Sequence, residues 1–149
     1  MSATHYEHRQ TAALMAVLFL FLAAALVSLP IVFGRDAVPG AIIGVVAMVL
    51  SLVFASLRTR VSGTSVEVAF GPGWPRRRFA IEDIESFEQV RNRWWYGWGM
   101  RAIPGGMMFS VWGLDAVELR YRRRTRTKKF RVGTDDPSGL LRALERARH

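Results

Sequence analysis

No cysteine occurs among the 149 residues, which removes disulfide frameworks, cysteine-ligated zinc or iron–sulfur sites and thiol nucleophiles. Histidine is almost as scarce. His5, His8 and His149 stand at the two ends of the sequence, so its interior lacks the usual metal ligand and neutral-pH acid–base group. Neither glycine-rich stretch, Gly71-Pro72-Gly73 or Gly97-Trp98-Gly99, leads into a phosphate loop or a dinucleotide fingerprint, and no Gly-x-Ser-x-Gly elbow is present. Glu82, Asp83, Glu85 and Glu88 form an acidic stretch with no second ligand type beside it. It reads as compensation for neighbouring arginines. No catalytic residue, metal site or cofactor is expected, and an enzyme is not.

Charge is also missing from a whole third of the chain. Between residues 11 and 57 the only charged side chains are Arg35 and Asp36, yet the net charge is +9, all of it carried by residues 58–149. A hydrocarbon core of ~30 Å needs about 20 helical residues, and the uncharged runs 11–34 and 37–57 are each long enough. The sequence therefore divides into an N-terminal tail (1–10), a two-helix transmembrane hairpin (11–57, spans about 11–33 and 38–57) and a basic domain (58–149). The first run exceeds the ~7–15-residue apolar core of a cleaved signal peptide and is read as retained. Arg58, Arg60, Arg76, Arg77 and Arg78 follow the second run, whereas the turn holds one arginine balanced by one aspartate. That asymmetry places the basic domain on the cytoplasmic side of a cell membrane, with both termini inside. Gly40 and Gly44 form a helix-packing face extended by Ala47 and Ser51, directed at Ala16, Ala23 and Ser28 of the first span. A second copy of the chain, giving a homo-oligomer, is the alternative occupant of that face.

Past Arg60 the pattern changes to alternation. Strands are expected over 64–70, 76–80, 84–90, 100–103, 107–112, 116–122 and 127–132, with glycine or proline in the turns at 71–75, 91–99, 104–106 and 113–115. Asp135 or Asp136 caps a final helix, with Pro137 in its first turn and Leu140, Leu141 and Leu144 as its apolar stripe. The fold class is a membrane α-hairpin plus a mainly-β domain, a seven-stranded antiparallel barrel or sandwich capped by a C-terminal helix.

That order resembles bacterial membrane proteins in which a two-helix hairpin precedes a pleckstrin-homology-like (PH-like) domain. The residues carrying the resemblance are Ile81-Glu82-Asp83-Ile84, Tyr96-Gly97-Trp98-Gly99-Met100-Arg101 and Gly133-Thr134-Asp135-Asp136-Pro137. The resemblance implies a binding module with no particular ligand. In PH-like folds that bind phosphoinositides, basic residues of the first hairpin hold the phosphates, and Arg76 and Arg78 occupy a similar position here.

Two binding surfaces are expected. Arg122, Arg123, Arg124, Arg126, Lys128 and Lys129 place six cations within eight residues, suited to the anionic inner leaflet, with Arg76 and Arg78 as further lipid contacts. Trp74, Trp94, Trp95, Tyr96 and Arg93 have the composition of a protein-interface hot spot, while Trp98 and Trp112 are expected to fill the barrel core or brace loops. If the strands stand upright on the bilayer, the turns near 81–83, 104–106 and 122–127 face lipid, and those at 71–75, 91–97 and 113–115 face the cytoplasm. A domain lying flat would instead set the tryptophans in the membrane interface. The leading expectation is a scaffold that recruits or stabilises a protein partner at the inner leaflet, and the alternative is selective anionic-headgroup binding. Nucleic-acid binding by the basic sheet is disfavoured by the membrane tether.

Overall fold

The structure is a computed structural model describing residues 4–149. It forms two compact units, one of residues 12–55 and one combining the residues up to 11 with 56–149.

The first unit is a helical hairpin, α1 (Ala13–Phe33) and α2 (Val38–Phe54), joined through a 3₁₀ turn (Arg35–Ala37). At 1.5 Å per residue α1 extends about 30 Å, and Arg35–Phe54 supplies a second apolar segment of 20 residues. Both are long and apolar enough to cross a membrane. Phe21, Ile31, Val32, Ile42 and Ile43 all face outward, a surface that suits lipid better than water. Gly44 is buried, and a Cβ there would lie 2.8 Å from Leu26 Cβ and 2.9 Å from the Ala23 carbonyl oxygen. The small face of α2 thus lies on α1, where Ala23 is fully buried. Gly44→Ile is expected to lower the hairpin's stability in detergent by about 1–3 kcal/mol through overpacking, read as a fall in the helical melting transition.

The second unit is mainly β. Strands β1 (Thr4–Thr11), β2 (Ser56–Ser62), β3 (Ser65–Phe70) and β4 (Arg76–Ala80) form an antiparallel sheet in that order. Strands β5 (Ile84–Arg91), β6 (Gly99–Ile103), β7 (Gly106–Ser110), β8 (Asp115–Arg123) and β9 (Arg126–Gly133) form a second sheet, ordered β5-β8-β9-β7-β6. Helix α3 (Pro137–Arg148) follows. The seven expected strands are all present, but the described residues form nine, in two separate sheets and not a closed barrel, and β7 runs parallel to β9.

The two additional strands redraw the domain boundaries. Residues 4–11, expected as a tail, are strand β1, and residues 1–3 lie outside the described ones. In β2 the buried Leu57, Thr59 and Val61 alternate with the outward Arg58 and Arg60. That pattern is concealed in the sequence because Leu57 also extends the apolar run. β1 is polar throughout except for Tyr6, and its ladder with β2, from Glu7↔Arg60 to Thr11↔Ser56, holds it extended. The hairpin brings these strands together across more than forty residues.

The sheets cross. β7 and its outgoing turn extend from β4, where Arg77 Nη2 donates to Met107 Sδ (3.6 Å), to β1, where Gln10 Nε2 donates to the Trp112 carbonyl (3.0 Å). Between the sheets, Phe109 meets Phe70 at 4.9 Å and Phe130 at 5.0 Å, and Phe79 meets Phe130 at 4.8 Å. Helix α3 buries Leu140, Ala143 and Leu144. Its N-cap Asp136 accepts from the Gly139 amide (2.9 Å) and from the Tyr6 hydroxyl (3.2 Å), tying β1 to the helix start. Burial, then the Asp136 charge and hydrogen bond, push the Tyr6 phenol well above its ordinary pKa, so it remains a donor. Asp136→Ala removes both bonds and is expected to cost about 1–2 kcal/mol in a thermal melt; Tyr6→Phe, which keeps the cap, should cost about half as much.

Candidate functional site

Period-two alternation divides the cationic run of residues 122–129 between the two faces of the second sheet. On the outer face, Glu118 is almost fully buried at 2% exposure. Its carboxylate accepts from Arg131 Nε (2.8 Å) and Arg120 Nε (3.3 Å) and lies 3.6 Å from Lys129 Nζ. Burial alone would raise its pKa, but the Arg131 hydrogen bond and the surrounding cations outweigh that and hold it below the usual carboxylate range. Glu88 bonds Arg120 (3.1 Å), and Glu85 takes Arg122 (2.6 Å) and the Thr127 hydroxyl (2.9 Å). The hydrogen bonds from Thr127 and Arg122 depress Glu85 as well. Arg120, Arg122, Lys129 and Arg131 are therefore committed to acids of their own domain.

The inner face holds the other set. Past Leu119 and Phe130 it continues outward as Tyr121, Arg123, Lys128 and Arg126, and there it meets Arg77 and Phe79 of β4. Together with Gly105, Gly106, Met107 and Thr127 these residues line an open cleft of ≈ 460 Å³. Tyr121 and Phe130 each contact Phe79 at 4.8 Å and form its apolar floor. Arg123 and Arg126 are cross-strand partners at its rim. Among the described residues none of Arg77, Arg123, Arg126 or Lys128 has an ion-pair partner, and no acidic residue lines the cleft. Gly106 permits the cleft's wall, because a Cβ there would overlap the Lys129 backbone carbonyl. Four cations without ion-pair partners, in one cleft with three aromatic side chains, can hold an anionic group and pack apolar atoms beside it.

Of the expected lipid-contact residues, the cleft takes Arg123, Arg126 and Lys128. Arg122 and Lys129 point to the acids opposite, and Arg124 lies in the β8–β9 turn at φ 58°. From the first hairpin the cleft receives Arg77. Arg76 and Arg78 fall on the other side of β4, where Arg78 Nε donates to Ser65 Oγ (3.2 Å). Arg77, Phe79, Met107 and Tyr121 were not singled out from the sequence. The available signal was the alternation of Arg77 against Arg76 and Arg78, which separates the faces without saying which one meets the second sheet.

The aromatic cluster is brought together only in part. Trp94, Trp95 and Tyr96 form a 3₁₀ turn in which successive rings meet edge-on at 5.8 and 6.3 Å. Arg93 lies over Trp95 at 5.0 Å, and Arg131 over Tyr96 at 5.9 Å. Trp74 is elsewhere, in a turn whose Gly71 amide donates to the Ser56 carbonyl (2.8 Å). Of the two places expected for Trp98 and Trp112, the structure excludes the core: they stack on each other at the surface, with centroids 5.3 Å apart and exposures of 41% and 44%, and Trp98 Nε1 donates to the Gly113 carbonyl (3.4 Å). The largest fully buried side chains are instead Phe70, Phe109 and Phe130, with Leu57, Met108 and Leu119. Strand β2 precedes the first anticipated strand and pairs antiparallel with it. Comparison with protein-family models, curated proteins and solved structures gave no match to this chain.

Proposed function

We propose that this chain is a membrane-anchored, non-enzymatic binding module of PH-like architecture, standing on the inner face of a bacterial cytoplasmic membrane. Its cleft takes an acidic segment of a protein partner and so holds that partner at the membrane. The observation that carries this reading is the pairing of Arg77, Arg123, Arg126 and Lys128, free of acids, with the Phe79–Tyr121–Phe130 floor. A solvated basic strand needs no aromatic floor, whereas an acidic peptide brings both charge to neutralise and side-chain methylenes to bury. The two apolar helices supply the anchor, and the charge asymmetry around them supports the orientation. A phosphate-bearing lipid headgroup is the second reading, favoured by the same four cations.

A photoreactive residue in place of Met107, on the cleft wall, tests this in cells expressing the full chain. The expected result is a protein adduct that disappears when Arg126→Glu is added. Recovery of lipid adducts alone moves the conclusion to the second reading. A protein adduct indifferent to Arg126→Glu would remove the cleft from the function.

A further inference from the structure

We infer that the end of the β unit where the chain passes to and from the helices rests in the membrane's headgroup zone, held there by Trp74, Trp98 and Trp112. This rests on the membrane-anchored reading above. One residue separates β1, ending at Thr11, from α1, starting at Ala13, and one separates α2, ending at Phe54, from β2, starting at Ser56. A residue reaches at most ~3.6 Å, so spanning helices leave these two strand ends no distance from the lipid surface.

The tryptophans belong to that same end of the sheet. The turn carrying Trp74 is bonded to Ser56 through the Gly71 amide (2.8 Å), and the Trp112 carbonyl accepts from Gln10, the residue before Thr11 (3.0 Å). Trp98 extends the surface by stacking on Trp112, its own N–H turned to the Gly113 carbonyl (3.4 Å). Trp74 is 73% exposed. Indole combines a large apolar face with one donor, and it concentrates where acyl chains give way to water. Two exposed tryptophan sites flanking both chain crossings are thus placed for lipid.

The absence of cysteine allows single nitroxide labels to be placed through Trp74→Cys, Trp112→Cys, Thr64→Cys in the β2–β3 turn, and Leu18→Cys in α1. The full chain is reconstituted in equimolar phosphatidylcholine–phosphatidylglycerol vesicles. Collisions with oxygen, relative to a water-soluble nickel chelate, are expected to be several-fold more frequent at positions 74 and 112 than at 64. Equal values at 74, 112 and 64 with a lipid-buried label at 18 overturn the inference and leave the anchor standing. Water access at 18 overturns the anchor and the inference together. The unmodified chain provides a second reading that needs no substitution. Its tryptophan fluorescence should be quenched by lipids brominated near the headgroup, and the lack of quenching in a membrane-inserted chain also overturns the inference.

Discussion

Glu118→Gln is expected to destabilise the β unit by about 3 kcal/mol, the lower part of the range for removing one partner of a buried charge pair. The substitution preserves shape but leaves Arg120, Lys129 and Arg131 facing one another around a neutral amide. Arg131 is the most enclosed of the three and bears most of the cost. For a domain of this size the melting temperature should fall by roughly 10–20 °C. Glu88→Gln, which removes a partner of Arg120 at an exposed position, should change stability by less than about 0.5 kcal/mol.

The pH dependence follows from the sign of the Glu118 shift. A carboxylate held below its unfolded pKa contributes stability that is complete above the unfolded value and is lost as pH falls through the folded one. The wild-type melting temperature should therefore decline below the ordinary glutamate pKa, and Glu118→Gln should flatten that part of the curve. A variant melting within a degree or two of wild type would show that the outer-face network is not a stabilising centre.

Arg123→Glu combined with Arg126→Glu is expected to weaken capture of the proposed acidic partner about 100-fold while leaving the fold intact. The two are cross-strand neighbours at the cleft rim without ion-pair partners. Each charge-assisted contact contributes about 1.5–3 kcal/mol, and the loss of two corresponds to at least two orders of magnitude in affinity. Arg122→Glu is the informative control. It lies one residue away on β8 but is engaged by Glu85 on the opposite face, so it should lower stability slightly and leave capture unchanged. Equal losses from Arg122→Glu would mean that the partner senses net charge and not the cleft.

Some elements were readable without any structure because they depend on neighbours along the chain. The helices are written in the absence of charge from residues 11–34 and 37–57, and the seven anticipated strands in alternation punctuated by glycine and proline. Asp136 followed by Pro137 announces α3, and the Asp136 side chain does cap it. These signals are local, and period 3.6 or 2 requires no knowledge of what lies opposite.

Strands β1 and β2 depend on something else. THYEHRQT has no apolar face, and SLRTRVS shares its leucine with the apolar run before it, so each exists because the other is returned beside it by the helical hairpin. The same holds for function. Alternation separates Arg123 and Lys128 from Arg122 and Lys129, but only the crossing of the two sheets decides which set meets Phe79 and which meets Glu118. Local patterning along the chain thus determined two apolar helices joined to an arginine-rich β domain. The tertiary structure decided which arginines remain free of acids, because charge compensation depends on distances between strands far apart in sequence.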